Sequence, residues 1–311
     1  MFTTLRMAGY QDDRSVHTHA MRVLEATLKE SLGAAIETEF EPNIAASGRK
    51  VADLLALVEA GDLDLCYFSS SYLTARVPAL GVFDIPFQWS DRLRTRALLQ
   101  GPLGAFIARE IESRTGYKLL DYWDNGLRSI SNRLRAIRTP GDCKGLRIRT
   151  LPSAGYHAAF RALGMEPITI DIRDFAAAVA SHAVDAQENP LTNIRQFGIE
   201  AHHRHVTMTQ HFHGIALLLC NAKTWGAYGP DVRVALAAAA RKAMQAQWDF
   251  AADEERQSRV VLEAAGIGII DLDDAGRTAF RDAVRPLVER QHAELPEELA
   301  ALLSPIKPGT T

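Results

Sequence analysis

Residues 144–193 read KGLRIRTLPSAGYHAAFRALGMEPITIDIRDFAAAVASHAVDAQENPLTN. Their order is strand, helix, strand, helix, strand. An arginine lies on the first strand, and the polar corner Gln187-Glu188-Asn189-Pro190 ends the last. A fixed guanidinium grips a carboxylate as a bidentate fork. Nothing beside it in the chain looks like a nucleophile or a metal cage. The stretch therefore points to the binding of small organic acids rather than to catalysis.

The same alternation opens the chain. Thr3–Tyr10 reads as a first strand, and Val16, Ala20, Leu24, Leu28 and Leu32 then recur every four residues before Gly33. That spacing predicts one amphipathic helix with a glycine stop. Ile36, Thr38 and Phe40 alternate with glutamates as a half-exposed strand. Val51, Leu54, Leu55 and Val58 mark a second helix before Gly61, and Leu63–Phe68 a buried strand. After the serines 69–71, Val82–Phe87 reads as a short strand or turn. A helix follows near 90–114, then a strand over Lys118–Trp123. Two such series predict an α/β protein with two lobes, and ligands in such sheets lie beyond the strand C-termini. Val206–Phe212 with Gly214–Cys220 forms a stretch long enough to cross from one lobe to the other. The alanine-rich run from Pro230 to about Ala265 would make a helix of roughly 50 Å, longer than a small domain, and is expected to bridge both lobes.

Composition narrows the classes. A chain of 311 residues suffices for two lobes, and its net charge of −3 argues against a nucleic-acid partner. No run reaches the ~18 apolar residues of a membrane span. The first strand starts with no basic and apolar leader before it, which fits either a cytoplasmic protein or a mature form without its signal peptide. Cys66, Cys143 and Cys220 are odd in number and far apart, so they predict neither a zinc site nor a disulfide set. Cys66 and Cys220 sit in apolar runs, as buried small hydrophobes do.

Several further motifs stand in order along roughly 5–290: GDLDL at 61–65, VFDIPF at 82–87, GPLG at 101–104, YWDNGLRSISN at 122–132, RTPGDCKGLRIRT at 138–150, FRALGMEP at 160–167, VDAQENPLTN at 184–193 and Thr209-Gln210-His211. With them the chain resembles the solute-binding proteins of TRAP (tripartite ATP-independent periplasmic) transporters, the DctP-like family. The resemblance implies a two-lobed, periplasmic-binding-protein-like α/β fold with a hinge, a crossing strand and a long bridging helix. Lobe I would comprise 1–124 plus about 213–252, and lobe II 125–212 plus about 253–311. It implies a periplasmic, monomeric receptor, its signal peptide absent from this chain, that closes on a small carboxylate and docks on membrane permease subunits. No reaction, cofactor or metal is implied.

The resemblance nominates Arg149 as the arginine that pairs with the ligand carboxylate and Arg128 as a second, nearer the hinge. Asn189, Ser70, His211, Phe212, Asp174 and Trp123 complete the expected ligand-binding set. The family's aromatic in the helix before VDAQENP falls on Ala176, which would leave a smaller pocket wall. The residues themselves also allow plainer readings. Strand alternation puts Arg147 and Arg149 on one face, where a surface salt bridge is ordinary; Arg147 is read as solvated. Arg128 would equally serve an interlobe salt bridge. Asn189-Pro190 has the grammar of a helix start. Gln187 and Glu188 would hold a cation only within a denser oxygen cluster. His202, His203, His205, His211 and His213 lack the acidic or cysteine partners of a zinc site, so only His211 is kept, with a pKa near 6.5 that would make affinity depend on pH. Two rivals stand beside the transporter reading: a cytoplasmic α/β enzyme using His211 as base on a carboxylic acid, and a ligand sensor for a membrane kinase.

Overall fold

The computed structural model describes residues 3–303. In chain order the elements are β1 (Thr3–Ala8), α1 (Val16–Leu32), β2 (Ile36–Glu41), α2 (Asp53–Ala60), β3 (Leu65–Ser69), α3 (Arg92–Leu99), α4 (Pro102–Arg114) and β4 (Tyr117–Asn132). Then follow β5 (Arg147–Thr150), α5 (Ala154–Ala162), β6 (Glu166–Thr169), α6 (Ile172–Ala180), β7 (Ala186–Asn189), α7 (Leu191–Gln196), β8 (His205–Asn221), α8 (Ala222–Ala227), α9 (Pro230–Ala264), β9 (Gly268–Asp271), α10 (Asp274–Ala293) and α11 (Glu297–Leu303).

Contacts divide the chain into two compact units. The first holds residues through Ser70, 108–124 and 215–254; the second holds 71–107, 125–214 and the chain from Glu255 on. The chain changes unit after Ser70 and again inside α4, β4, β8 and α9. The long strand and the long helix thus serve both units, as expected of a crossing strand and a bridging helix.

In the first unit β1 pairs in parallel with β2 and β3, and β3 pairs antiparallel with Ala216–Cys220 of β8. Ser15 caps α1 by accepting from the His17 amide, and Ala20, Met21, Leu24 and Leu28 form its buried face. Gly33, at φ 51°, ends the helix and donates to the Lys29 carbonyl. In the second unit β5 lies between β6 and β7, parallel to both, and β7 pairs antiparallel with Ser129–Asn132 of β4. Its apolar side chains gather in two clusters. One includes Ile130, Ile148, Phe160, Phe212 and Phe280; the other includes Phe175, Val179, Ile194, Val206 and Leu262.

Two expectations change, and a third is settled between its two alternatives. Residues 71–107 belong to the second unit, not with the first sixty, because they are tied there by hydrogen bonds. Ser71 and Ser153 both donate to the Asp84 carboxylate, and the Phe87 amide donates to the His211 carbonyl. Of the two readings of Val82–Phe87, strand or turn, the turn holds: Pro78–Asp84 is a 3-10 helix and 86–87 a turn. The helix expected over 90–114 is two, α3 and α4. Asp91 caps α3 and Pro102 starts α4. Gly104 packs so closely that a Cβ there would fall 1.8 Å from the Leu99 carbonyl oxygen, which no other residue permits.

Candidate functional site

In the second unit β4, β5 and β7 carry the buried charges Arg128, Arg149 and Glu188. Along β5, Arg147 and Arg149 part company despite the alternation. Arg147 stays partly exposed and pairs with Asp185, which Arg133 also holds. These arginines keep the Asp185 carboxyl well below the usual carboxylate range. Arg149 is completely buried, because α6 lays Phe175 over it with the guanidinium carbon 4.4 Å from the ring centroid.

The Arg149 guanidinium has no carboxylate partner among the described residues. Its Nε and Nη2 donate to one backbone oxygen, that of Ile170, at 3.0 and 2.8 Å. Its Nη1 finds no hydrogen-bond partner there. Burial pulls its pKa down, against the pull of the Tyr72 phenol and Glu188. An arginine nonetheless keeps its proton, so a buried guanidinium without a counter-charge is costly until an anion joins it.

Arg128 is satisfied in the opposite way. Its Nε and Nη2 fork onto the Glu188 carboxylate, with Nη2 at 3.0 Å from Oε1. Nη2 also donates to the Glu188 carbonyl at 2.8 Å and to Asn189 Oδ1 at 2.9 Å. Thr150 donates to Glu188 Oε1 at 3.2 Å. Both members of the pair are buried, and the added hydrogen bonds offset the desolvation. Glu188 is therefore occupied by Arg128 and Thr150, which removes it as a cation holder. Among the described residues no group of three or more His, Cys, Asp or Glu side chains stands in a metal-holding arrangement.

Aromatic and neutral groups surround the two arginines. Tyr156 stacks on Phe212 at 4.0 Å between centroids, and Arg128 lies 5.9 Å over the Tyr156 ring. His211 packs edge-on to Phe160 and Phe212, with Nδ1 bound to Thr209 Oγ1 at 2.6 Å and Nε2 3.9 Å from Glu188 Oε2. Burial and the Arg128 charge push its pKa down to about 3. It stays neutral at physiological pH, which corrects the expected pH-dependent affinity and makes it a weak base for the enzyme reading. Gln210, just before it, adopts a left-handed backbone at φ 47°, a strained conformation for a non-glycine residue. Asp84 is also buried, and desolvation pushes its carboxyl up to about 7.

Of the expected residues, Arg149, Arg128, Asn189, His211 and Phe212 all lie in this unit, and a chain of contacts joins the last four. Asp174 does not join them: it sits on the first turn of α6, half exposed and paired with Arg173. Ser70 and Trp123 belong to the first unit, where Trp123 packs on His17 and Tyr67. The buried Ser70 Oγ and Trp123 Nε1 have no hydrogen-bond partner among the described residues. Ala176 is exposed, and the preceding Phe175 supplies the aromatic of that helix. Glu188 as the partner of Arg128, Phe175 as the cover of Arg149, and Thr150, Tyr156 and Asp84 were not foreseen. The motif VFDIPF was the one available signal, since an acid inside an apolar run needs partners when buried.

Fold and site together define an α/β solute-binding protein. The structure superposes on the sugar acid binding protein of Advenella mimigardefordensis, solved with galactonate, at a TM-score of 0.93 and 20% identity over 98% of each chain. A TRAP periplasmic solute-binding protein of Bordetella bronchispeptica, with density interpreted as pantoate, matches at 0.91 and 26% identity, covering 98% of this chain and 99% of that one. The 2,3-diketo-L-gulonate-binding periplasmic protein of Escherichia coli K12 is 26% identical over 278 residues, 89% of this chain and 83% of the relative. The family model for bacterial extracellular solute-binding protein, family 7, matches residues 7–295, and the chain belongs to that family. No helix among the described residues is long and apolar enough to cross a membrane.

Proposed function

We propose that this protein is the periplasmic receptor of a TRAP transporter, a monomer that holds a small organic acid by its carboxylate and hands it to a membrane permease. The observation that carries the reading is the contrast between two buried arginines. Glu188 already neutralises Arg128, whereas Arg149 has no carboxylate among the described residues, only the Ile170 backbone oxygen and the neighbouring Tyr72 phenol. A planar acid completes that guanidinium with the fork geometry a carboxylate supplies. Structural neighbours solved with galactonate and succinate, and one with density interpreted as pantoate, carry ligands of this class.

A thermal-shift screen of organic acids identifies the ligand, since one present at 100 times its dissociation constant adds about 2.7 kcal/mol. Calorimetry then compares the protein with Arg149→Ala. Affinity is expected to fall at least ~100-fold, about 3 kcal/mol, with the fold retained. Unchanged affinity in the folded variant overturns the assignment.

A further inference from the structure

Behind Asn189 runs a hydrogen-bonded chain whose direction Arg128 fixes as far as Ser131. It begins at Arg128, whose Nη2 donates to Asn189 Oδ1, and a guanidinium has no way to accept. Asn189 must then present its nitrogen on the other side, where Nδ2 donates to Gln187 Oε1 at 2.6 Å. Gln187 in turn donates from Nε2 to Ser131 Oγ at 2.5 Å, and these two residues face each other in the β4–β7 register. Ser131 has accepted one hydrogen and has its own to place. His203 Nδ1 lies 2.9 Å away. Either ring tautomer can meet this oxygen, but only an accepting Nδ1 uses the hydroxyl hydrogen; the ring hydrogen then sits on Nε2, which has no hydrogen-bond partner among the described residues. All five side chains are buried.

We infer that His203 Nδ1 accepts from Ser131 and that His203 is a positioning residue for the acid site, holding through Ser131 and Gln187 the Asn189 amide that Arg128 orients. The inference rests on the reading that the acid binds beside Arg149 and Asn189. Asn189 Nδ2 has two hydrogens; Gln187 takes one, and the other has no hydrogen-bond partner among the described residues. Arg128 and Asn193 Nδ2 hold the Asn189 oxygen and the relay holds one amide hydrogen, so Asn189 has one N–H left to offer. Such a group favours a ligand atom that only accepts, such as a carboxylate oxygen, over a ligand amine. The charged and titratable groups around the His203 ring are Arg133, Asp185, His182 and His202, and burial with this mainly cationic company pulls its pKa down to about 4. The ring thus stays neutral at neutral pH, as an accepting Nδ1 requires. A core histidine merely filling space would need no particular tautomer.

Nitrogen-15 NMR of the full chain without added acid tests this directly. At pH 7 the expected His203 spectrum shows a bare Nδ1 and a protonated Nε2. His203→Leu and Ser131→Ala should each shift the Asn189 side-chain amide cross-peaks, whereas His203→Asn, whose Oδ1 can accept in place of Nδ1, should leave them in place. Arg149→Ala should leave them in place too, so the acid-site reading can fail by calorimetry while this relay stands, and the reverse. A proton on Nδ1 in the unmutated protein, or Asn189 cross-peaks unmoved by either His203→Leu or Ser131→Ala, overturns the inference. The tautomer measurement decides even where a variant does not fold.

Discussion

Arg128 and Arg149 are both buried, yet only Arg128 has a carboxylate partner among the described residues. Glu188→Ala strands the Arg128 charge away from water, which costs about 3–5 kcal/mol of stability, measured as a lower urea midpoint. Glu188→Gln, which keeps an acceptor, should cost less. Asp84 supplies a pH test. Its folded pKa of about 7 lies above the ordinary value of 3.8, so the folded state binds the extra proton between them. Its contribution is complete below the ordinary value and is lost as pH rises through about 7. Asp84→Asn should flatten that part of the stability profile measured by urea unfolding from pH 4 to 8. Little of this was legible at the level of single residues. Arg128 and Glu188 are 60 positions apart, and only strand register makes them partners. Alternation placed Arg149 beside the solvated Arg147; the resemblance singled it out, but nothing in the local pattern announces that Phe175 closes over it. The expected pKa of His211 assumed water around the ring, and burial removed that assumption.

At the level of elements the reading held where periodicity is long. The α1 stripe, the buried β3, the alternating β2 and the 35-residue α9 follow from spacing and from Pro230 at its start. It failed where one close contact decides, as at the α3–α4 break beside Gly104. The α10 helix passed unread although Phe280, Val284 and Leu287 stand on one face. Gly126, inside β4, is another position set by contact. It has φ 79°, and a Cβ there would lie 2.4 Å from Pro190 Cβ. Gly126→Ala should destabilise the protein by about 1–3 kcal/mol through backbone strain, read from thermal or urea unfolding. Displacing Pro190 in this way should also disturb the start of α7 and the neighbouring Asn189.

The whole molecule carries three thiols, all buried: Cys66 and Cys220 in the first unit and Cys143 in the second. Burial pushes each thiol up, Cys143 and Cys220 to about 12. An aromatic disulfide reagent should find none of them reactive in the folded protein at pH 8, and labelling should follow unfolding. Comparing Cys143 with the other two by mass spectrometry in graded urea reports whether the units open together or separately; one common midpoint means together. The two-unit plan was legible from repeated strand–helix order, but the membership of 71–107 was not, because polar clips rather than hydrophobic rhythm assign it. The interleaving of the units also bears on how the protein is made. Neither unit is a contiguous piece of chain, and the first one needs residues as late as 254. During synthesis, most of the polypeptide must leave the ribosome before either half has all its parts, so shortened transcripts or proteolytic fragments should yield no independently folded half.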